Sequence, residues 1–178
     1  LETLYKTYVF GVEAGNDYAV GTRKRIKNDE PVLGTNTSDQ YYKGSALLHM
    51  IRQIIGDALF KEVLKGLSKE FYHQTVNTNQ ILDFLNRYTK QDFTKVFDQY
   101  LKTIQIPTLS YSFQDGIFQY RWENCIKDFS MPARITFNGR NYQFIFPSTQ
   151  WQTSKVSATS SKGFHVDRNF YITVSENK

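Results

Sequence analysis

Cysteine is nearly absent: Cys125 stands alone among 178 residues, which excludes an internal disulfide and a cysteine-built metal cage. It falls in a strand-like stretch and reads as a small buried hydrophobe rather than a nucleophile. Histidine is almost as scarce. His49, His73 and His165 have no i, i+4 partner among themselves, and no His-Glu-x-x-His occurs anywhere in the chain. No apolar run approaches the roughly 20 residues of a membrane helix, so the sequence holds no such segment. Charge of neither sign dominates. Residues 1–106 carry 14 basic and 12 acidic side chains and residues 107–178 carry 8 and 5, so the net +5 divides into +2 and +3. So small and even an excess excludes a nucleic-acid footprint. The one basic cluster, Arg23-Lys24-Arg25-Ile26-Lys27, reads as a solvated helix end, where cations complement the helix dipole. The opening residues, Leu1-Glu2-Thr3-Leu4-Tyr5-Lys6, lack an initiator Met and signal-peptide architecture. They enter mid-pattern in what resembles a helix, as a cut chain would.

What is present is a folded chain with 40% hydrophobic and 22% charged residues. Its periodicity changes near Ile104-Gln105-Ile106-Pro107. Before that point apolar residues recur at helical spacing. Residues 1–27 read as two helical pieces interrupted around Gly11 and Gly15, and residues 28–40 as a Gly, Pro and polar loop. Leu47, Met50, Ile51, Ile54 and Ala58 form one stripe, broken at Gly56-Asp57; Phe60, Val63, Leu64, Leu67 and Phe71 form the next. Asn77 with Gln80 predicts an N-cap ahead of Ile81, Phe84, Leu85 and Tyr88. Asp92 predicts the cap of a last helix carrying Phe93, Val96, Phe97, Tyr100 and Leu101.

Beyond Pro107 the pattern alternates. Leu109, Tyr111 and Phe113 share a face of a strand ended by Gln114-Asp115-Gly116, with Ile117–Trp122 as its hairpin partner. A second hairpin runs from Arg134 to Phe137, turns tightly at Asn138-Gly139 and returns from Asn141 to Phe146. Residues 151–157 and 164–174 supply the remaining strands. Half of the 28 aromatic residues lie after residue 106, a density that suits the inner faces of a small sandwich better than an exposed sugar-binding platform.

The stretch Tyr41-Tyr42-Lys43-Gly44-Ser45-Ala46-Leu47-Leu48-His49-Met50-Ile51-Arg52 resembles the Tyr-x-Lys-Gly helix start of the M1 zinc aminopeptidases, the thermolysin-like gluzincins of the aminopeptidase N type. Asn28-Asp29-Glu30-Pro31-Val32-Leu33-Gly34 resembles the loop before this helix in bacterial relatives. Val76-Asn77-Thr78, the run Asp92-Phe93-Thr94-Lys95-Val96-Phe97-Asp98-Gln99-Tyr100-Leu101 and then Ile106-Pro107-Thr108-Leu109 resemble the family's last helices and its entry into a β domain. The resemblance spans roughly residues 1–113 and rests on the order and spacing of these segments.

It implies an α+β chain: residues 1–104 as the helical end of a thermolysin-like catalytic domain, and residues 105–178 as a small all-β immunoglobulin-like sandwich. It assigns Tyr41 the role of oxyanion stabiliser in the intact parent and gives Tyr42 none. A phenol suits that role, being neutral near pH 7, long, and rigid enough to be aimed. In such a parent, two His and a Glu hold zinc and a further Glu is the general base. Leu1–Tyr5 resembles the helix of the third ligand, entered after that Glu, so Glu2 is not the ligand and all three ligands and the base are expected upstream. The expectation is therefore a fragment without zinc or activity of its own. Its parent would be a zinc aminopeptidase acting on peptides, with the upstream part of the same chain as partner, and periplasmic or secreted. His49 reads as a satisfied core or boundary residue, and Asp29 with Glu30 as loop solvation before Pro31. The competing reading is a noncatalytic interaction module, a helical adaptor joined to an immunoglobulin-like sandwich.

Overall fold

The computed structural model describes residues 39–157 and 161–177, with the backbone alone for residues 39–42. The two helical pieces expected before residue 28, Glu2, the basic cluster at 23–27 and the Asp29-Glu30 pair lie outside the described residues.

Among the described residues four helices come first: α1 (Asp39–Ile55), α2 (Asp57–Glu70), α3 (Thr78–Thr89) and α4 (Thr94–Lys102). The loop expected over 28–40 therefore overreaches by two residues, because Asp39 and Gln40 already belong to α1. Gly56 divides α1 from α2 with φ 82°, a conformation in which any Cβ is strained. It still keeps the chain compact, its N–H bonding the Arg52 carbonyl at 2.8 Å and its carbonyl accepting from Phe60 at 3.0 Å. At the start of α3, Asn77 Oδ1 accepts from the Gln80 N–H at 3.0 Å and Gln80 Oε1 accepts from the Asn77 N–H at 2.9 Å. This reciprocal capping box is the one expected from the sequence. Asp92 caps α4 from one position further out: its Oδ1 accepts the Thr94 N–H at 2.8 Å, while Phe93 occupies the boundary residue.

Seven strands follow among the described residues, in two sheets ordered β5-β2-β1-β7 and β4-β3-β6. The first sheet holds β1 (Thr108–Gln114), β2 (Ile117–Glu123), β5 (Gln152–Lys155) and β7 (Thr173–Glu176); the second holds β3 (Ala133–Thr136), β4 (Gln143–Ile145) and β6 (His165–Val166). Strands β1 and β2 close on a two-residue turn in which Asp115 and Gly116 both take positive φ, 49° and 76°. Such turns match the twist of a hairpin. In this register Leu109 faces Trp122, Tyr111 faces Tyr120 and Phe113 faces Phe118. Strand β7 adds parallel to β1, with Thr108 opposite Thr173.

The expected tight turn at Asn138-Gly139 is not there. Ile135 pairs with Gln143, so seven residues span the connection. Asn138 builds this loop with its side chain: its Oδ1 accepts from the N–H groups of Arg140 and Asn141, both at 2.9 Å, and from the Thr136 hydroxyl at 3.0 Å. An Asx-type turn has displaced the two-residue one, although Gly139 does adopt φ 71°. Cys125 also departs from expectation. It sits in the bend after β2, half-buried against the core, and burial together with Glu123 pushes its thiol up, away from the thiolate a nucleophile requires.

The two sheets meet through rings. Phe118 of β2 lies 5.2 Å from Phe137 and 5.3 Å from Phe164, centroid to centroid, and the Trp122 indole donates to the Met131 carbonyl at 3.1 Å. Fully burying one such ring stabilises the fold by about 1.5–3 kcal/mol. The chain is thus α+β with a β-sandwich after its helices. Among the described residues one buried cluster runs through both parts, from Leu47, Met50 and Ile51 of α1 to Phe170 and Tyr171.

Candidate active-site helix

Helix α1 carries the residues that the sequence singles out. Tyr41 is its third residue and Tyr42 its fourth, so both sit within the first turn rather than before the helix. Their neighbours define two sides of α1. Lys43, Leu47, Met50 and Ile51, spaced at three and four residues, are all buried. Gly44, Ser45 and Leu48 follow Tyr41 in its own register at three, four and seven residues. Ser45 is exposed, Leu48 is 47% exposed, and a Cβ placed on Gly44 meets nothing within 4 Å. Among the described residues this stripe of α1 is open.

The buried side is anchored to the sandwich and to α4. The Tyr171 N–H donates to the Met50 sulfur at 3.1 Å, and the Tyr100 hydroxyl of α4 donates to the Tyr171 carbonyl at 2.7 Å. Lys43 is fully buried, and its Nζ donates to the Thr103 carbonyl at 2.7 Å. A charge removed from water at that cost demands compensation, which a carbonyl at the end of a helix supplies. Sequence reasoning took Lys43 as part of a motif and did not see this bond, whose partner lies 60 residues away.

Further along α1, His49 is half-buried and bonds the Asn169 side-chain oxygen at 3.0 Å, as a satisfied boundary histidine does. Asn169 Nδ2 donates to Asp167 Oδ1 at 2.8 Å, Asp167 Oδ2 lies 3.4 Å from Arg134, and Arg134 reaches the Gln53 side-chain oxygen at 3.5 Å. These polar groups seam α1 to the sandwich. In the last turn of α1, Arg52 pairs on the surface with Asp57 at 2.7 Å, and the hydrogen bond from its guanidinium lowers the Asp57 carboxyl pKa. His73 and His165 are exposed and lie on α2's exit and on β6. No group of three or more His, Cys, Asp or Glu side chains among the described residues could hold a metal ion. The described residues therefore do not fit a zinc site.

Residues 16–100 match the family model described as the Peptidase family M1 domain, and the match encloses α1, α2, α3 and most of α4. The M1 peptidase family is thus what residues 16–100 are similar to. Peptidases of this family are in general zinc-dependent. The fold is similar to that in the crystal structure of Legionella pneumophila aminopeptidase A in complex with aspartic acid, with a TM-score of 0.63 at 11% identity. That likeness covers 81% of this chain and 18% of the Legionella chain, and at such identity it speaks for the fold alone. Comparison with curated protein sequences gives no match. Within the matched segment, Tyr41, the one residue the sequence nominated for catalysis, shares the first two turns of α1 with Lys43 and Gly44. No helix among the described residues is long and apolar enough to cross a membrane.

Proposed function

We propose that the chain is the helical end of a zinc aminopeptidase catalytic domain, residues 1–104, followed by a small immunoglobulin-like sandwich, residues 105–178. The observation that carries this reading is the M1 match over residues 16–100, a stretch that includes Tyr41-x-Lys43-Gly44 in the first two turns of α1. In this reading the whole protein removes N-terminal residues from peptides, and Tyr41 is the group this chain contributes to the chemistry. Its phenol donates to the oxyanion that develops on the scissile carbonyl. A donor aimed at that charge binds the transition state more tightly than the substrate, and so raises kcat. The open stripe of Gly44, Ser45 and Leu48 in the register of Tyr41 supports a station facing the rest of the peptidase.

In this reading the zinc ligands and the general base come from a preceding part of the protein, consistent with 178 residues that hold no His-Glu-x-x-His. That upstream part is then the partner of this chain, the peptide is its substrate, and nucleic acid has no place. The proposal extends to the periplasm or the medium, where bacterial peptidases of the type the sequence resembles are often found. Metal analysis after dialysis and hydrolysis of an aminoacyl reporter test the reading, run on the full-length protein and on this chain. The full-length protein is expected to hold zinc and release the reporter; this chain is expected to do neither. A tightly held, stoichiometric zinc on this chain contradicts the division of roles. A full-length protein without zinc or hydrolysis favours the noncatalytic interaction module.

A further inference from the structure

We infer that Lys43 is a positioning residue: its bond to the Thr103 carbonyl sets the first turn of α1, and with it the station of Tyr41, against the end of α4. The inference rests on the reading of Tyr41 as the oxyanion donor. Packing alone would fill position 43 with an apolar residue, since it shares the buried side of α1 with Leu47, Met50 and Ile51. A fully buried lysine there is costly unless its ammonium has a task. The acceptor it holds is unusually well fixed. The Thr103 hydroxyl donates to the Gln99 carbonyl at 2.6 Å and accepts from Gln99 Nε2 at 3.0 Å and from the Gln105 N–H at 3.3 Å. Gln99, itself fully buried, also donates to the Gln105 carbonyl at 2.8 Å and accepts from the Ile126 N–H at 2.7 Å.

The Thr103 carbonyl is therefore held by α4, by the joint into β1 and by the bend after β2 together. An ammonium docked on so rigid an acceptor resists both sliding and rotation of the α1 turn that holds it, two residues from Tyr41. A catalytic group misplaced by about 1 Å can cost about 10²-fold in rate, so such an anchor has a kinetic consequence distinct from stability.

A double-mutant cycle in the full-length, zinc-loaded peptidase tests this, with Lys43→Met keeping the aliphatic stem and Tyr41→Phe removing the phenol donor. Lys43→Met is expected to lower kcat about 10–100-fold with KM little changed. On the Tyr41→Phe background the same change is expected to cost less than about threefold, because the group it positions is gone. Equal losses on both backgrounds, or no loss in the single variant, overturn the positioning role while leaving Tyr41 as the donor. A Tyr41→Phe enzyme with undiminished kcat overturns the reading of Tyr41 and this inference with it. Should Lys43→Met fail to fold, Thr103→Val loosens the acceptor and leaves Lys43 in place. It is expected to lower kcat by a smaller factor that again vanishes on the Tyr41→Phe background, and a loss that persists there overturns the role.

Discussion

Replacing Tyr100 by Phe removes one oxygen atom from the place where helices and sandwich meet. Tyr100 is fully buried, and its hydroxyl donates to the Tyr171 carbonyl at 2.7 Å across 71 residues of sequence. The ring survives the change, so its packing on Tyr171, 6.0 Å between centroids, is kept. What is lost is the partner of a buried carbonyl, a penalty of about 1–3 kcal/mol. At about 2–4 °C per kcal/mol for a chain of this size, a central loss of about 2 kcal/mol lowers Tm by about 4–8 °C. The same hydroxyl predicts a pH dependence. Burial raises the Tyr100 pKa well above its ordinary value. A group raised in the folded state stabilises fully below its unfolded pKa, about 10, and that contribution is lost as pH climbs above it toward the folded value. Wild type should therefore lose its advantage over Tyr100→Phe above about pH 10. Urea unfolding of both proteins at pH 7 and at alkaline pH measures both effects. A difference under about 0.5 kcal/mol at pH 7 would refute the reasoning, since it would show that this bond does not hold α4 to the sandwich.

Gly66→Ala should destabilise, although alanine is the better helix former by about 1 kcal/mol. A Cβ at Gly66 would stand 2.7 Å from Cζ of the buried Phe84 and 3.3 Å from the Tyr88 ring, and overpacking of that kind costs about 1–3 kcal/mol, so thermal unfolding should show a net loss rather than a gain. Asp92→Ala should cost about 1 kcal/mol at pH 7 through the lost cap on α4. Hydrogen bonds from Thr94 hold the Asp92 carboxyl below its ordinary pKa, so this contribution is present above about pH 4 and lost as pH falls through the folded value; the two proteins should converge in acid.

Local chemistry was legible where the deciding residues are neighbours. Asn77 and Gln80 announce a reciprocal cap, Gly56 a helix break, and Asp115-Gly116 a hairpin turn, because each acts over a few residues. Reading failed where a distant partner decides. The parallel pairing of β7 with β1 joins Thr108 to Thr173, and no local pattern encodes it. Asn138-Gly139 carries the composition of a tight turn, yet the Asn138 side chain competes for the backbone and opens a longer loop. Cys125 reads as strand because its neighbours alternate, while the bend after β2 follows from Asn124, which takes φ 48° and bonds the Ile106 carbonyl at 2.9 Å. At the candidate site, the Tyr41-x-Lys43-Gly44 spacing was visible. The burial of Lys43 was not, since a charged residue is expected outside until its acceptor at Thr103 is known.

The most direct test of the proposed function is steady-state kinetics of Tyr41→Phe beside Tyr42→Phe in the full-length protein. Adjacent residues in one helical turn point about 100° apart, so only one of them can serve a fixed reacting centre. Tyr41→Phe is expected to lower kcat about 10²–10³-fold with KM little changed, the usual cost of deleting one oxyanion donor. Tyr42→Phe is expected to match wild type. A crippled Tyr42→Phe with a mild Tyr41→Phe would move the site by one residue, and two mild variants would contradict the assignment of α1 to the chemistry.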